Sequence, residues 1–119
     1  MARIAPEIFR KRLLIEGYFA RAVLDADGIR AYFTLITSRL KLRTYGEPIV
    51  HATSGQGKAA NEGYDAFVPL IDSGIYVCVW SSRRFTSVIL YTCAEFDDAV
   101  AIQTTRDFFE LSAWETASF

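Results

Sequence analysis

Residues 63–98, GYDAFVPLIDSGIYVCVWSSRRFTSVILYTCAEFDD, carry the clearest strand pattern in the chain. Two segments of this stretch, residues 75–80 and 86–93, are rich in the β-branched and aromatic residues that favour a pleated, partly buried surface. The five residues between them, 81–85, are mostly polar, as expected of a hairpin loop in water. The sequence therefore predicts two antiparallel strands joined by a short connection.

The register of this hairpin decides which side chains meet at its open end. If Trp80 pairs with Thr86, then Cys93 lies opposite Ser73, with Gly74 beside it. Directly opposed side chains of an antiparallel pair have Cβ atoms about 4.5–5.5 Å apart. A hydroxyl and a thiol would then be neighbours. The structural alternative is that Ser73 only begins a strand and Cys93 is a small buried hydrophobe.

Length and composition indicate one globular domain spanning residues 1–119. Hydrophobic residues make up 51% of the chain and charged residues 23%. The formal net charge of −1 and the lack of an extended basic tract argue against a nucleic-acid partner. The longest apolar run, residues 75–80, is too short to span a bilayer, and the N-terminal residues lack the apolar region of a signal peptide. We therefore expect a cytoplasmic protein with no membrane partner.

The two cysteines and the single histidine limit the chemistry of any site. Cys78 and Cys93, in a chain without an export signal, are expected to be thiols rather than a disulfide. With one histidine and no Cys-x-x-Cys motif, too few ligands are present for a tetrahedral zinc site, so no metal is expected. His51 is either a hydrogen-bonded structural residue or a functional one.

The remaining segments predict two helices and further strands. Residues 12–19 form a first strand, in which Glu16 either faces water at an edge or points into a pocket. A helix capped by Asp25 or Asp27 ends near Arg43 and buries one face. The residues of that face are Ile29, Tyr32, Phe33, Ile36 and Leu40.

The rest of the chain completes the sheet. Residues 48–52 and 66–71 are expected to be strands, and Pro69 restricts the second of them to an edge or a bulge. Residues 54–58 are a flexible loop. Asp97 or Asp98 caps a second helix, and residues 112–119 either add an edge strand or lie free. The buried face of the second helix is expected to include Val100, Thr104 and Phe108.

This order of elements predicts an α+β fold. Two helices pack on one face of a mainly antiparallel sheet, which makes a two-layer α/β sandwich. The strands are apolar on both sides, so the other face of the sheet also needs a cover. A second protomer would provide it, and we expect a homodimer.

The central stretch also resembles the short prokaryotic type of S-adenosylmethionine decarboxylase, a pyruvoyl-dependent enzyme of polyamine synthesis. Without a gap, Asp72-Ser73 falls on the family's Glu-Ser cleavage site, Trp80 on the Trp of His-Thr-Trp-Pro-Glu, and residues 91–93 on Phe-Thr-Cys. Outside this stretch, Leu13-Leu14-Ile15-Glu16, Leu24-Asp25, Ile49-Val50-His51 and Phe96-Asp97 are similar to further segments of the family.

The resemblance implies a mechanism. In the family the serine hydroxyl attacks the preceding carbonyl, the ester eliminates, and the chain splits to leave a pyruvoyl group, which forms a Schiff base with the substrate amine. Ser73 is the matching precursor, Asp72 supplies the carbonyl, and Cys93 holds the place of the cysteine that returns a proton to the substrate. The substrate would be S-adenosylmethionine or, given the changes described next, a basic amino acid.

Several positions depart from the family pattern. Asp65 stands where the family has a serine that assists cleavage, and Cys78 stands in place of the histidine that completes the pyruvoyl group. Asp65 cannot donate as a hydroxyl does, and a thiol replaces an imidazole poorly. Ser82 takes the place of the glutamate that holds the substrate ribose.

Two further hypotheses follow from these changes. The chain is alternatively an uncleaved relative that binds S-adenosylmethionine as a regulatory subunit, or a lyase or hydrolase that degrades it with carboxylates such as Glu16, Asp65 or Asp72. In each case aromatic rings would hold the sulfonium by cation–π attraction. The candidate substrate-binding residues are Glu16, His51, Phe67, Tyr76, Trp80 and Ser82, with Phe85 beside them.

Overall fold

The computed structural model describes residues 3–119. Within that range the chain forms six strands and two α-helices, with two short 3-10 turns between β2 and β3 at Gly55–Gly57 and Ala59–Asn61. In chain order the elements are β1 Lys11–Phe19, α1 Ala26–Leu40, β2 Ile49–Thr53, β3 Gly63–Leu70, β4 Ser73–Trp80, β5 Phe85–Thr92, α2 Asp98–Phe109 and β6 Leu111–Ser118.

The six strands form one sheet in the order β2-β3-β4-β5-β1-β6, and every neighbouring pair is antiparallel. The C-terminal segment, for which the sequence left two alternatives, is an edge strand that pairs with β1. Both helices lie on one face of the sheet, so the predicted two-layer α/β sandwich is confirmed.

Helix α1 follows its sequence pattern closely. The Asp25 carboxylate caps it by accepting the Gly28 N–H at 2.9 Å, and all five residues predicted for its inner face are buried. The helix ends at Leu40 because Lys41 adopts a left-handed conformation with φ 57°, slightly before the predicted end near Arg43. The 3.6-residue period therefore located this helix correctly.

Helix α2 begins after its N-cap Asp97, as predicted, but its buried face is turned relative to the prediction. Ala101 and Phe109 are fully buried, whereas Val100 and Phe108 are half-buried. The two helices contact each other through the buried Tyr32 hydroxyl and the Thr105 hydroxyl, 2.8 Å apart. This hydrogen bond satisfies both buried hydroxyls, and the Tyr32 ring also packs against the rings of Phe108 and Phe109 from α2.

Two expectations about the strands were wrong. Strand β3 is internal to the sheet, although Pro69 had predicted an edge or a bulge. Proline is tolerated because the pairing of β2 with β3 does not extend beyond the Ile49–Phe67 pair. Residues of the segment after α1 lie beside Pro69 instead, where Thr44 forms a bridge with Leu70.

The register of the β4–β5 hairpin also differs from the prediction. Trp80 pairs with Phe85 rather than Thr86, so every pair of the hairpin is shifted by one residue.

The sheet face opposite the helices, here called the uncovered face, is rich in apolar side chains. Five large residues on it are 37–53% exposed: Ile49, Phe67, Tyr76, Ile89 and Tyr91. They alternate with core residues along each strand, as the two-residue period of a strand requires. No helix within residues 3–119 has the length and apolar character needed to cross a membrane.

Candidate functional site

The β3–β4 turn is followed directly by Ser73, the residue that matches the cleavage-site serine of the family that the sequence resembles. Residues Leu70 and Ser73 pair across the hairpin, so Ile71 and Asp72 form its two-residue loop. Ser73 has a φ of 120°, a conformation that non-glycine residues rarely adopt. Strain of this kind costs on the order of 1–3 kcal/mol and persists only where the surroundings enforce it. The peptide bond predicted to break is therefore followed by a strained residue.

Gly74, next to this strained residue, has a steric role. A Cβ atom at Gly74 would lie 2.5 Å from the ring of Phe67, which covers the glycine on the uncovered face. Phe67 in turn pairs with Tyr76 across β3 and β4, and their ring centroids are 6.5 Å apart. Two of the predicted substrate-binding residues thus form an aromatic floor beside Gly74.

Asp72 is held by an arginine from the segment after α1. Its carboxylate accepts the Arg43 Nη2 at 2.9 Å, the Nε at 3.5 Å and the backbone N–H at 3.3 Å. The guanidinium and these hydrogen bonds hold the pKa of the Asp72 carboxyl below its usual range. The carboxylate is therefore ionised at neutral pH and committed to Arg43 rather than available to move protons.

Cys93 lies beside this turn, although not where the predicted register placed it. Ser73 pairs with Thr92, and the expectation that it faces Cys93 was wrong. The Cys93 N–H instead donates to the Asp72 carbonyl oxygen at 2.8 Å. The Cys93 side chain is exposed as a free thiol. Asp72, Ser73 and Cys93 therefore do meet at one end of the sheet, but through a backbone hydrogen bond.

A row of polar side chains crosses the middle of the uncovered face. Each member pairs directly with the next on the neighbouring strand, from one edge of the sheet to the other. In order, this polar row is His51, Asp65, Cys78, Ser87, Glu16 and Glu115. The Ser87 hydroxyl donates to the Glu16 carboxylate at 3.1 Å. Ser87 and Glu115 carried no motif signal in the sequence, and only the strand register reveals their place.

The environment of Cys78 makes its thiol a weak acid. Partial burial, together with the negative charge of Asp65 and a hydrogen bond to it, raises the pKa of Cys78 to about 11. The thiol is therefore protonated at neutral pH. At neutral pH the Cys78 thiol cannot accept a proton as an imidazole would. Cys78 is the position at which the family that the sequence resembles has a histidine.

An aromatic cluster lies at the far end of the uncovered face. The Phe85 ring contacts Tyr18 at 5.3 Å and Trp80 at 5.6 Å between centroids. A cavity of about 330 Å³ is lined by Tyr18, Asn61, Trp80, Arg83 and Phe85. Arg83 adds a cationic side chain to this cavity and has no ion pair to another described residue. Cavities of this size and composition are suited to small organic ligands.

A second cavity of about 280 Å³ adjoins the first through Tyr18 and Phe85. Its lining adds the carboxylates of Glu16 and Glu115, which pair across β1 and β6. Like charges placed directly opposite each other are unfavourable. The sequence identified Glu16 as a candidate, and the structure adds Glu115 beside it.

The other predicted residues fall at different distances from Ser73. Cys78 is five positions after Ser73 along β4 and Trp80 is seven, which correspond to roughly 16 Å and 23 Å at the usual rise per residue. Ser82 donates to the Ala59 and Ala60 carbonyl oxygens at 3.3 and 3.4 Å, and so ties the hairpin loop to a 3-10 turn. Within one chain, the cleavage site and the aromatic cavities are thus separate.

The described part of the chain contains no group of three or more His, Cys, Asp or Glu side chains arranged to hold a metal ion. The candidate side chains are instead divided among the turn, the polar row and the aromatic cluster.

Comparison with known proteins gives a structural match only. No protein-family model matches the sequence, and no curated protein matches it. Among solved structures, the fold is similar to the crystal structure of the adenosylmethionine decarboxylase from Aquifex aeolicus VF5. The TM-score is 0.74 at 15% sequence identity, over 94% of this chain and 89% of that one. The chain therefore has an S-adenosylmethionine decarboxylase-like fold.

The acidity of Cys78 provides a direct check of the polar row. In a Cys93→Ser variant, the rate of Cys78 alkylation should rise with pH along a curve whose apparent pKa is about 11. Replacing Asp65 with Asn removes a negative charge that disfavours the thiolate, so the curve should move to lower pH. Both pH curves are measured by reaction with iodoacetamide for fixed times, followed by mass spectrometry. An unchanged curve in the Asp65→Asn variant would show that the two side chains do not interact.

Proposed function

We propose that this chain is a divergent S-adenosylmethionine decarboxylase-like protein that cleaves itself between Asp72 and Ser73. The observation that supports this most is the geometry of the turn. Ser73 is strained at φ 120°, and the carbonyl that its hydroxyl would attack already accepts the Cys93 N–H at 2.8 Å. That donor would stabilise the negative charge that develops on the Asp72 oxygen during attack.

The proposed cleavage is an acyl shift followed by elimination. The Ser73 Oγ bonds to the Asp72 carbonyl carbon, the peptide C–N bond breaks, and an ester links the two parts of the chain. Elimination then transfers the Ser73 Cα proton to a base and breaks the Cβ–Oγ bond, which leaves Asp72 with a free carboxylate and residue 73 with a Cα–Cβ double bond. Addition of one water and loss of one ammonia turn residue 73 into a pyruvoyl group.

The residues around Ser73 are suited to hold such a group. When present, it would supply an electrophilic carbonyl that accepts the electrons released with carbon dioxide. The exposed thiol of Cys93, which follows the partner of Ser73 on β5, would donate a proton to the substrate carbon. S-adenosylmethionine is the proposed substrate, and polyamine synthesis the proposed pathway, with a basic amino acid as the other candidate substrate.

A homodimer is part of this proposal. Within one chain, Ser73 lies roughly 16 Å along β4 from Cys78 and its neighbour Asp65, which is too far for direct proton transfer. Two sheets packed through their uncovered faces would bury the exposed apolar residues and bring the polar row of one protomer near the turn of the other. The assembly would thus complete the site.

A second candidate function is binding of S-adenosylmethionine without cleavage. It is favoured by the aromatic cavities, which are lined by four aromatic residues and by the carboxylates of Glu16 and Glu115, but by no part of the Ser73 turn. Such a cavity would hold a sulfonium or ammonium ligand by cation–π attraction. A thiol with a pKa of about 11 at the histidine position also fits an uncleaved protein.

Intact-mass spectrometry tests the proposed cleavage. The purified wild type should yield two fragments, residues 1–72 and 73–119, and the Ser73→Ala variant one full-length chain. The two fragment masses should together exceed the intact mass by only the difference between water and ammonia. A sum larger by a whole water would indicate proteolysis by another enzyme. A single species for the wild type after long incubation would reject the decarboxylase proposal.

Binding of S-adenosylmethionine is tested by calorimetry on the Ser73→Ala variant. We expect saturable binding, weakened about tenfold by a further Trp80→Ala change, which removes up to about 2 kcal/mol of cation–π attraction. Phe9→Ala is the matched control, because Phe9 is an exposed aromatic residue outside both cavities. Equal losses for Trp80→Ala and Phe9→Ala would contradict binding at the cavity, and no heat at millimolar ligand would contradict a nucleoside ligand.

The dimer is tested by sedimentation equilibrium at micromolar concentration. The wild type should sediment as a dimer, and Ile89→Asp, which places a charge at the middle of the uncovered face, should sediment as a monomer. Val23→Asp is the control, since Val23 is an exposed apolar residue outside the sheet. A monomeric wild type would show that the uncovered face does not bind a second copy.

A further inference from the structure

We propose that Arg43 is a positioning residue that holds the Asp72–Ser73 peptide in the geometry needed for attack by Ser73. This inference rests on the proposed self-cleavage, but its geometric part can be tested in a chain that does not cleave. Nothing in the sequence pointed to Arg43, which lies 29 residues before Asp72 in the chain.

The segment that carries Arg43 binds the turn through backbone and side-chain contacts. The Arg43 carbonyl accepts the Ile71 N–H at 2.9 Å, and the Tyr45 N–H donates to the Pro69 carbonyl at 3.1 Å. Thr44 forms a bridge with Leu70 between them. Residues 43–45 therefore extend the sheet beside β3 where β2 no longer reaches, and they bring the guanidinium to the end of the turn.

Asp72 is consequently held on two sides. Its carboxylate accepts three donors of Arg43, and its carbonyl oxygen accepts the Cys93 N–H from the end of β5 at 2.8 Å. Because its carboxylate and its carbonyl oxygen are both held, Asp72 cannot rotate to relieve the backbone strain of the turn. The strain is then carried by the next residue, Ser73, whose φ is 120°. Arg43 thus acts on the reacting peptide through Asp72.

The shape of the arginine side chain matters for this role. The Asp72 side chain is 9% exposed, whereas that of Arg43 is 68% exposed and covers the carboxylate from the solvent side. A planar guanidinium can address both carboxylate oxygens at once, which a lysine ammonium cannot do with the same fixed geometry. Lysine at position 43 should keep the charge attraction but hold Asp72 less rigidly.

The rate of hydrogen exchange at the Cys93 amide reports how stable its hydrogen bond to the Asp72 carbonyl oxygen is. In the uncleavable Ser73→Ala background, adding Arg43→Ala should speed exchange of this amide about tenfold or more, because its acceptor is no longer held. Arg43→Lys should give an intermediate rate. Amides in the middle of β5, such as that of Val88, should be unchanged. Arg39→Ala, an exposed arginine one turn earlier in α1, is the control and should leave the Cys93 amide unchanged.

Processing of chains that retain Ser73 supplies the second readout. Arg43→Ala should slow cleavage about tenfold or more, Arg43→Lys should restore part of the rate, and Arg39→Ala should cleave as the wild type does. Unchanged exchange at Cys93 in Arg43→Ala, or faster exchange at Val88 as well, would overturn the positioning role. If the wild type does not cleave, the proposed function fails, while the exchange data still decide whether Arg43 holds the peptide.

Discussion

The alternation of side chains along an antiparallel strand is the constraint on which the organisation of this protein depends. Successive residues point to opposite faces, and only one face of the six-stranded sheet is covered by helices. The residues of the polar row and the two aromatic groups therefore lie on the uncovered face, while their neighbours in sequence form the core. A shift of one residue in any strand would exchange the two sets. The packing of the core against α1 and α2 thus fixes which side chains lie on the uncovered face.

The sequence could predict the elements that have strong periods or strong caps. The face of α1 and the antiparallel β4–β5 hairpin were predicted correctly, and each N-cap, Asp25 and Asp97, is one of the two residues that the sequence offered. It could not predict the register of that hairpin, because the loop ends at Arg84, a non-glycine residue with φ 53°, and no residue type signals such a conformation. Phe85 consequently begins a strand instead of ending the loop.

The turn at Ser73 was beyond prediction for a similar reason. Glycine adopts an unusual backbone conformation at the least cost, so local preference alone would place a positive φ on Gly74. The positive φ instead falls on Ser73, and Gly74 is required because the Phe67 ring occupies the space of a side chain. Long-range contacts impose this arrangement: Arg43 fixes the Asp72 carboxylate, and Cys93 fixes its carbonyl. Contacts between residues so distant in the chain leave no local pattern in the sequence.

Two proteins with the same fold can have the same backbone geometry at a site while their side chains there differ. Strand pairing brings the carbonyl of residue 72 to the Cys93 N–H through backbone atoms alone, which any side chain at these positions would permit. Proton transfer depends on side chains, and here the polar row combines a thiol with a raised pKa and an adjacent carboxylate, Asp65, at the positions that match a histidine and a serine of the family that the sequence resembles. The backbone of the turn therefore combines a strained residue with a carbonyl held by a backbone N–H, whereas the polar row contains a thiol that stays protonated at neutral pH.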